Sequence, residues 1–362
     1  MSLSIEAAAT ARMRGANIST GRACTNGFMP GLGRPFRPRT WRHRICLVLA
    51  LSQACGKTQP STAGLRLREL VAVALPATLR VTGGTLLPGG DIVLWSDDSP
   101  ELTRVSESGQ IRRIAYAAND APLTVWYDDA SGLLRVFSRG ARRVVAIDTA
   151  GSLVSEYLVK GLPDSARIYS ATFVPGHLVI AVRKFATDTI AVVEVDSAGS
   201  FSKTLLSVPV RDFSSGVPDS TAEVEVSLAM LGRRTCATLL WAPHKSFCTG
   251  NAHDQGLFLQ PTGVQYSEFL KAAGAYPPFV AALRPVAVSV GYLQVIADLR
   301  SSRRLLLRYD RAGVVRATVS LQDVFGIVAV DSDRNQLITL RDLGVSELAW
   351  YEYRATRAGA GQ

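Results

Sequence analysis

A short hairpin motif that ends in glycine recurs along this chain. Residues 142–159, RRVVAIDTAGSLVSEYLV, show its form, with two runs rich in Val, Ile, Leu and Tyr on either side of a turn that ends at Gly151. This pattern predicts two antiparallel strands joined by a tight turn. The turn has the form of an apolar residue, three variable residues and a glycine. This motif occurs five times, at residues 105–109, 147–151, 195–199, 259–263 and 309–313.

The spacing of these glycines constrains the fold more than any other feature. Successive glycines lie 42, 48, 64 and 50 residues apart, which is room for four short strands in each interval. Repeats of about this length with four strands each are typical of the blades of a β-propeller. We therefore expect an all-β chain with one domain of six blades over residues 65–355 and a C-terminal tail at residues 356–362.

Strand-sized segments separated by Gly, Pro, Asp and Ser form six sets. The sixth set has only three segments, whereas residues 65–81, LRLRELVAVALPATLRV, show alternation and β-branched residues but have no preceding set to join. We expect residues 69–75 to supply the missing outer strand, because joining the two ends of the chain removes exposed strand edges. In the fourth set, residues 264–270 are predicted to form a strand and residues 244–256 an inserted loop. No helix is predicted.

The net charge of +10 is concentrated near the N-terminus. Residues 1–54 carry eight arginines and one glutamate, which leaves 32 basic and 29 acidic side chains, or +3, on the rest of the chain. A nearly balanced body lacks the basic footprint that nucleic-acid binding requires. We therefore expect no nucleic-acid partner.

Residues 34–54 follow the plan of a secretory signal. A basic stretch, RPFRPRTWRHR, precedes the apolar run ICLVLAL and a small-residue exit. This run is too short to span a bilayer. We expect residues 1–54 to be a signal segment and residues 55–64 a flexible tether. Met29 would start a signal of ordinary length, in which case residues 1–28 are not translated.

The end of this segment resembles a bacterial lipoprotein box, in which Cys55 would be lipidated and become the first mature residue. Ser52 and Gln53 depart from the usual box, so plain cleavage after Ala54 stays open. The resemblance implies an exported protein of the bacterial cell envelope, in the periplasm or attached to the outer membrane, that meets the membrane through its lipid anchor only.

Cysteine usage agrees with export. Cys24 and Cys46 lie in the signal segment and Cys55 is the expected anchor, so Cys236 and Cys248 remain. An oxidising compartment would allow these two to form a disulfide. Two buried free thiols are the alternative.

The turns SAGSF, residues 197–201, and DRAGVV, residues 310–315, resemble the repeat of NHL-type six-bladed β-propellers. The resemblance covers residues 81–354. It implies an architecture without implying an activity, since the fold hosts lyases, lactonases, receptor ectodomains and scaffolds. Gluconolactonase-like hydrolases with this fold hold a calcium in the channel with Glu, Asn and Asp.

In such propellers, the loops between second and third strands and those between blades gather on one face around the central channel. Arginine forks there would suit a carboxylate, phosphate or acidic-sugar ligand, while ordinary hydrated loop charges are the alternative. The candidate ligand-binding residues are Asp97, Asp98, Arg139, Arg142, Arg143, Arg183, Lys184, His244, His253, Arg300, Arg303, Arg304 and Arg341.

Two functions stay open at this stage. The first is a monomeric binding module for a protein or an anionic small ligand, with no metal or cofactor. The second is a propeller hydrolase or lyase with a divalent cation, calcium, in the channel, for which Asp97, Asp98, Asn119 and Asp120 are available. The sequence contains no nucleophile elbow, phosphate-binding glycine loop or structural zinc pattern.

Overall fold

The computed structural model describes ten stretches of the chain. They are residues 64–116, 120–162, 166–184, 188–209, 226–240, 244–250, 256–273, 280–322, 324–342 and 346–355. Strands dominate these residues and form six antiparallel sheets.

The first strand, β1 (Leu65–Ala74), precedes the first blade. Blades one to three then each pair four consecutive strands in chain order, as the sequence predicts. Their strands are β2 (Gly83–Leu86), β3 (Ile92–Ser96), β4 (Ser99–Val105) and β5 (Ile111–Ala115) in blade one; β6 (Pro122–Asp128), β7 (Leu133–Ser138), β8 (Arg143–Ile147) and β9 (Leu153–Leu158) in blade two; and β10 (Arg167–Val174), β11 (His177–Lys184), β12 (Thr189–Val195) and β13 (Phe201–Pro209) in blade three.

Blade four departs from the prediction. Its elements are β14 (Val226–Leu231), β15 (Arg234–Leu239), β16 (Ser246–Cys248), β17 (Phe258–Leu259) and then the helix α1 (Val264–Ala272). The expected inserted loop therefore contains the third strand, and the expected strand at residues 264–270 is wrong because this segment is helical. Tyr266, Phe269 and Leu270 recur at helical spacing and pack on the apolar cluster between blades four and five. Gly263 precedes this helix and does not join two strands.

Blade five has an interrupted inner strand. Both β18 (Val280–Ala282) and β19 (Val286–Val288) pair with β20 (Gly291–Asp298), and residues 283–285 separate them. Two further strands complete the sheet, β21 (Arg303–Tyr309) and β22 (Val315–Gln322).

The N-terminal strand completes blade six. The blade consists of β23 (Val324–Asp331), β24 (Gln336–Asp342), β25 (Ser346–Ala355) and, at its outer edge, β1. Leu65 of β1 lies opposite Ala355 of β25, and Ala74 lies opposite Glu347. The prediction that residues 69–75 supply the missing strand is confirmed, and the strand is longer than expected.

The six blades close into a ring around a central channel. The inner strands β2, β6, β10, β14, β19 and β23 each contact the next, and β23 contacts β2. Apolar side chains form six clusters, one between each pair of neighbouring blades. In β3, Val93 and Trp95 pack toward blade two while Ile92 and Leu94 pack toward blade six. Because successive side chains point to opposite faces, a strand covered on both faces is apolar throughout.

The antiparallel order gives the ring two different ends. The turns from first to second and from third to fourth strands share one end, called the turn face. The loops from second to third strands and between blades share the other, called the loop face. On the turn face, Asp148 Oδ1 accepts hydrogen bonds from the N–H groups of Ala150 and Ser152 at 2.9 and 2.8 Å. Asp196 and Asp310 hold their glycine turns in the same way.

Candidate functional site

A cavity of about 690 Å³ occupies the turn-face half of the central channel. This volume lies within the range of about 300 to 1,000 Å³ that is usual for small-molecule sites. Every blade contributes to the wall through its inner strand or the residues beside it. One wall residue from each blade, in blade order, is Thr85, Trp126, Thr172, Met230, Arg284 and Val328.

Arg284 is the cation inside this cavity. It is half-buried and lies in the interruption between β18 and β19, directly before Pro285. Its Nη2 donates to the carbonyl oxygen of Val328 at 3.2 Å, which is its one hydrogen bond within the described part of the chain. Burial lowers the pKa of Arg284, but an arginine side chain stays protonated at neutral pH. The remaining guanidinium N–H groups can therefore serve a ligand.

A buried chain of hydrogen bonds shapes the interruption that carries Arg284. The hydroxyl of Tyr309 donates to Gln294 Oε1 at 2.8 Å, and Gln294 Nε2 donates to the carbonyl oxygen of Leu283 at 3.1 Å. Tyr309 and Gln294 are both 0% exposed. Burial raises the pKa of Tyr309, so the phenol remains neutral and keeps its proton for this bond. These two hydrogen bonds fix the peptide group that precedes Arg284.

Glycines of blade one open the mouth of the cavity. Gly89 and Gly90 have φ values of 94° and 95°, a region that favours glycine. A Cβ atom at Gly90 would lie 2.8 Å from Nη1 of Arg334, a residue of blade six. The guanidinium of Arg334 can reach across to blade one because this turn has no side chain there.

Acidic residues surround this mouth. Asp129 of blade two and Asp333 of blade six belong to the blades on either side of blade one, and both are exposed. Asp331 is occupied by its own turn, since its Oδ1 accepts from the N–H groups of Asp333 and Arg334 at 3.1 and 3.0 Å. The cavity is thus positive inside and negative at its rim.

Comparisons with known proteins agree with this architecture. No family model and no curated protein sequence matches the chain. A solved structure of a DUF4221 family member from Bacteroides vulgatus is 9% identical with a TM-score of 0.53, over 81% of this chain and 99% of that one. A Bacteroides fragilis protein named "Putative exported protein" is 10% identical with a TM-score of 0.50, over 83% of this chain and 97% of that one. The chain is a six-bladed β-propeller. Identities this low show the fold alone, and kinship to NHL-type propellers stays a prediction.

The predicted ligand-binding residues that the structure describes lie on the loop face of the propeller, and none of them lines the cavity. Several form ion pairs within their own blades or, for Asp98, with the segment that precedes its blade. These pairs join Arg143 to Glu156, Arg183 to Asp188, Arg303 and Arg300 to Asp298, Arg341 to Glu69 and Glu347, and Asp98 to Arg80.

Two other predicted arginines are hydrogen-bonded to backbone carbonyl groups. Arg142 donates to the carbonyl of Leu162 at 3.3 Å, and Arg304 donates to three backbone carbonyls of its own loop. Lys184 is half-buried at the end of β11, and His253 lies outside the described residues. Ligand binding by the loop face stays a prediction.

Asp97 and Arg139 are the predicted residues that the fold brings near each other across two blades. Burial lowers the pKa of Arg139, while the Asp97 carboxylate acts to raise it and the Arg167 guanidinium to lower it. Thr82 Oγ1 donates to Asp97 Oδ1 at 2.8 Å. Arg167, at the start of β10, was not among the predicted residues, because these were taken from the loops between second and third strands and not from the connections between blades.

His244 is fully buried and is not placed to contact a ligand on the loop face. Its Nε2 lies 3.0 Å from the carbonyl oxygen of Val280, which can only accept, so this nitrogen carries the proton. The other nitrogen, Nδ1, then accepts from the hydroxyl of Tyr266 at 2.7 Å. Burial lowers the pKa of His244 to about 4. The residue joins blade four to α1 and β18.

Cys236 and Cys248 form a disulfide. They lie opposite each other on β15 and β16 and are buried, so the disulfide is present and the alternative of two free thiols is not. Within the described stretches, no group of three or more His, Cys, Asp or Glu side chains is placed to hold a metal ion. Nor does any helix in these stretches have the length and apolar character needed to cross a bilayer.

Proposed function

We propose that this propeller is a binding module that takes a small anionic ligand into the turn-face half of its central channel. The observation that carries the proposal is Arg284, a cation inside a cavity that all six blades line, with a single hydrogen bond to the described chain. A planar guanidinium can hold a carboxylate or phosphate with two parallel hydrogen bonds.

The wall around Arg284 supports a small organic anion. Trp126 and Met230 supply apolar surface, and Thr85 and Thr172 supply hydroxyl groups. The Trp126 ring is held in place by stacking on Phe173, with ring centres 6.0 Å apart and planes 18° from parallel. Apolar and aromatic walls with a few convergent polar groups are typical of small-ligand sites.

Thermal unfolding with added carboxylates tests this proposal. Benzoate, citrate and galacturonate are added in turn to the wild type, to Arg284→Met and to Arg112→Met, a matched control that removes an exposed arginine of β5. A ligand at a hundred times its Kd stabilises the native state by about 2.7 kcal/mol. We expect at least one anion to raise the Tm of the wild type and of the control but not that of Arg284→Met. Equal shifts in all three proteins, or none in the wild type, would contradict the proposal.

The proposal also places the module outside the cytoplasm, tethered through Cys55. The basic and apolar halves of residues 34–54 support export, and a buried disulfide suits an oxidising compartment. Metabolic labelling with an alkyne-bearing palmitate in a bacterial host tests the tether. The wild type is expected to carry the label and Cys55→Ala to lack it, whereas an unlabelled wild type of mature size would favour cleavage after Ala54.

The enzyme alternative, a hydrolase or lyase with a channel calcium, stays a prediction without a specific observation in its favour. A chelator distinguishes the two. Melting curves with and without EDTA should coincide for the binding module and differ if a calcium ion stabilises the channel.

A further inference from the structure

The charges along the cavity suggest that its ligand carries a positive group as well as a negative one. At the mouth, Arg334 is matched by Asp331 and Glu107, with N to O distances of 3.6 and 3.5 Å. Asp129 and Asp333 are then left as exposed carboxylates with no hydrogen bond or ion pair inside the described ranges. The interior contains Arg284. An anion that enters by this mouth passes two uncompensated negative charges before it reaches the guanidinium.

The shape of the mouth leaves these two carboxylates accessible. Asp129 and Asp333 stand on blades two and six, and the turn of blade one between them ends in Gly89 and Gly90, which carry no side chain. No atom would lie within 4 Å of a Cβ atom at Gly89, so the space beside this residue is open. A ligand seated on Arg284 can therefore extend its far end toward both acids.

We propose that the channel ligand is dipolar, with a carboxylate bound by Arg284 and an ammonium or similar cation held at the mouth by Asp129 and Asp333. This inference rests on the proposed function and names its ligand class as amino-acid-like zwitterions. Complementary charge at both ends also selects against plain anions, because like charges at the mouth disfavour their entry.

Matched compounds that differ in one charge test the inference by isothermal titration calorimetry. The probes are 4-aminobutyrate, 6-aminohexanoate and 8-aminooctanoate, each beside the carboxylate and the amine of equal chain length. We expect at least one amino acid to bind the wild type about fivefold more tightly than its plain carboxylate. This ratio corresponds to the largest contribution that an exposed ion pair usually makes to binding. The amines are expected to bind more weakly than both.

Variants assign the two ends. The double variant Asp129→Asn, Asp333→Asn should lose the preference for the amino acid while it still binds the plain carboxylate. Arg284→Met should lose both compounds, and Glu268→Gln, which removes an exposed acid from α1, should behave as the wild type.

The outcomes separate this inference from the proposed function. If plain carboxylates bind as tightly as the amino acids, or if the double Asn variant keeps the preference, the inference fails and the anion site stands. The inference also fails alone if benzoate, citrate or galacturonate binds through Arg284 and no amino acid of the series does. If no anion of either set binds the wild type, both fail.

Discussion

Among single residues, His244 makes stability depend on pH in a predictable way. Its pKa falls from an ordinary 6.5 to about 4 on burial, so the unfolded chain binds more protons between these two values. Stability is therefore full above about pH 6.5 and is lost as the pH falls toward 4. A displacement of this size corresponds to about 3 kcal/mol.

Urea unfolding at several pH values between 7 and 4 checks this expectation. His244 has a φ of 56°, which asparagine tolerates better than most residues, so His244→Asn removes the titrating ring at little backbone cost. We expect the variant to be less stable at pH 7 and to lose less stability between pH 6.5 and 4. A pH dependence as steep as that of the wild type would contradict this account.

Two carboxylates contribute to stability over a lower pH range. Hydrogen bonds outweigh burial and lower the pKa values of Asp298 and Asp310, so their contributions to stability are lost at lower pH than that of His244.

Tyr309→Phe tests how the element that carries Arg284 is held. The variant removes the donor to Gln294 Oε1, and an unsatisfied buried acceptor costs about 1 to 3 kcal/mol. We expect lower stability in chemical denaturation and weaker binding of any anion that Arg284 captures, because the peptide before Arg284 loses its restraint. Unchanged affinity in a variant of reduced stability would show that the chain of hydrogen bonds supports blade five without positioning the arginine.

Blade four contains the disulfide, and we expect its outer strands to depend on it. Its outer strands have three and two residues, so few ladder hydrogen bonds hold them. The disulfide closes a segment with a sequence separation of 12, and a loop of this size contributes about 3 kcal/mol by the chain-entropy estimate.

We therefore expect dithiothreitol to lower the free energy of unfolding of the wild type by roughly this amount. The double variant Cys236→Ala, Cys248→Ala provides the control, since it should already be less stable and should not respond to the reductant. An equal response in both proteins would assign the effect to something other than this bond.

At the scale of the whole molecule, closure by β1 is the feature on which the ring depends. Val73 and Leu75 are 8% and 3% exposed and pack in the cluster between blades six and one. Removal of β1 would expose the rest of this apolar cluster and the edge of β25. An exposed strand edge can pair with other chains.

Two truncations separate closure from the rest of the N-terminus. A chain that begins at residue 64 keeps β1 and is expected to unfold in one cooperative transition. A chain that begins at residue 75 lacks β1 and is expected to aggregate or to melt at a lower temperature. Similar melting of both chains in thermal unfolding, with both monomeric in size-exclusion chromatography, would contradict the role assigned to closure.

Local patterns were sufficient for most of the elements. Strands such as β11 and β21, which are covered on both faces, appear in the sequence as apolar runs bounded by turn residues. Residues 264–270 were predicted wrongly because a short apolar segment fits both periods, and the spacing of Tyr266, Phe269 and Leu270 was the helical signal that could have decided it. Asp97 near Arg139 was within reach of the same argument, since both were placed on one face by their loops.

The sequence by itself determined the β class, the number of blades and the strand that closes the ring, because these follow from periodicity and repeat length along the chain. Only the tertiary structure decided where a ligand could be enclosed. Arg284 lies in the interruption of a strand that shows no distinctive local pattern. It bonds to Val328 and shares a cavity with Thr85 only because all the blades meet at the channel. The arginines on the loop face appeared available in the sequence, but in the folded propeller most of them meet carboxylates or carbonyls of their own blades.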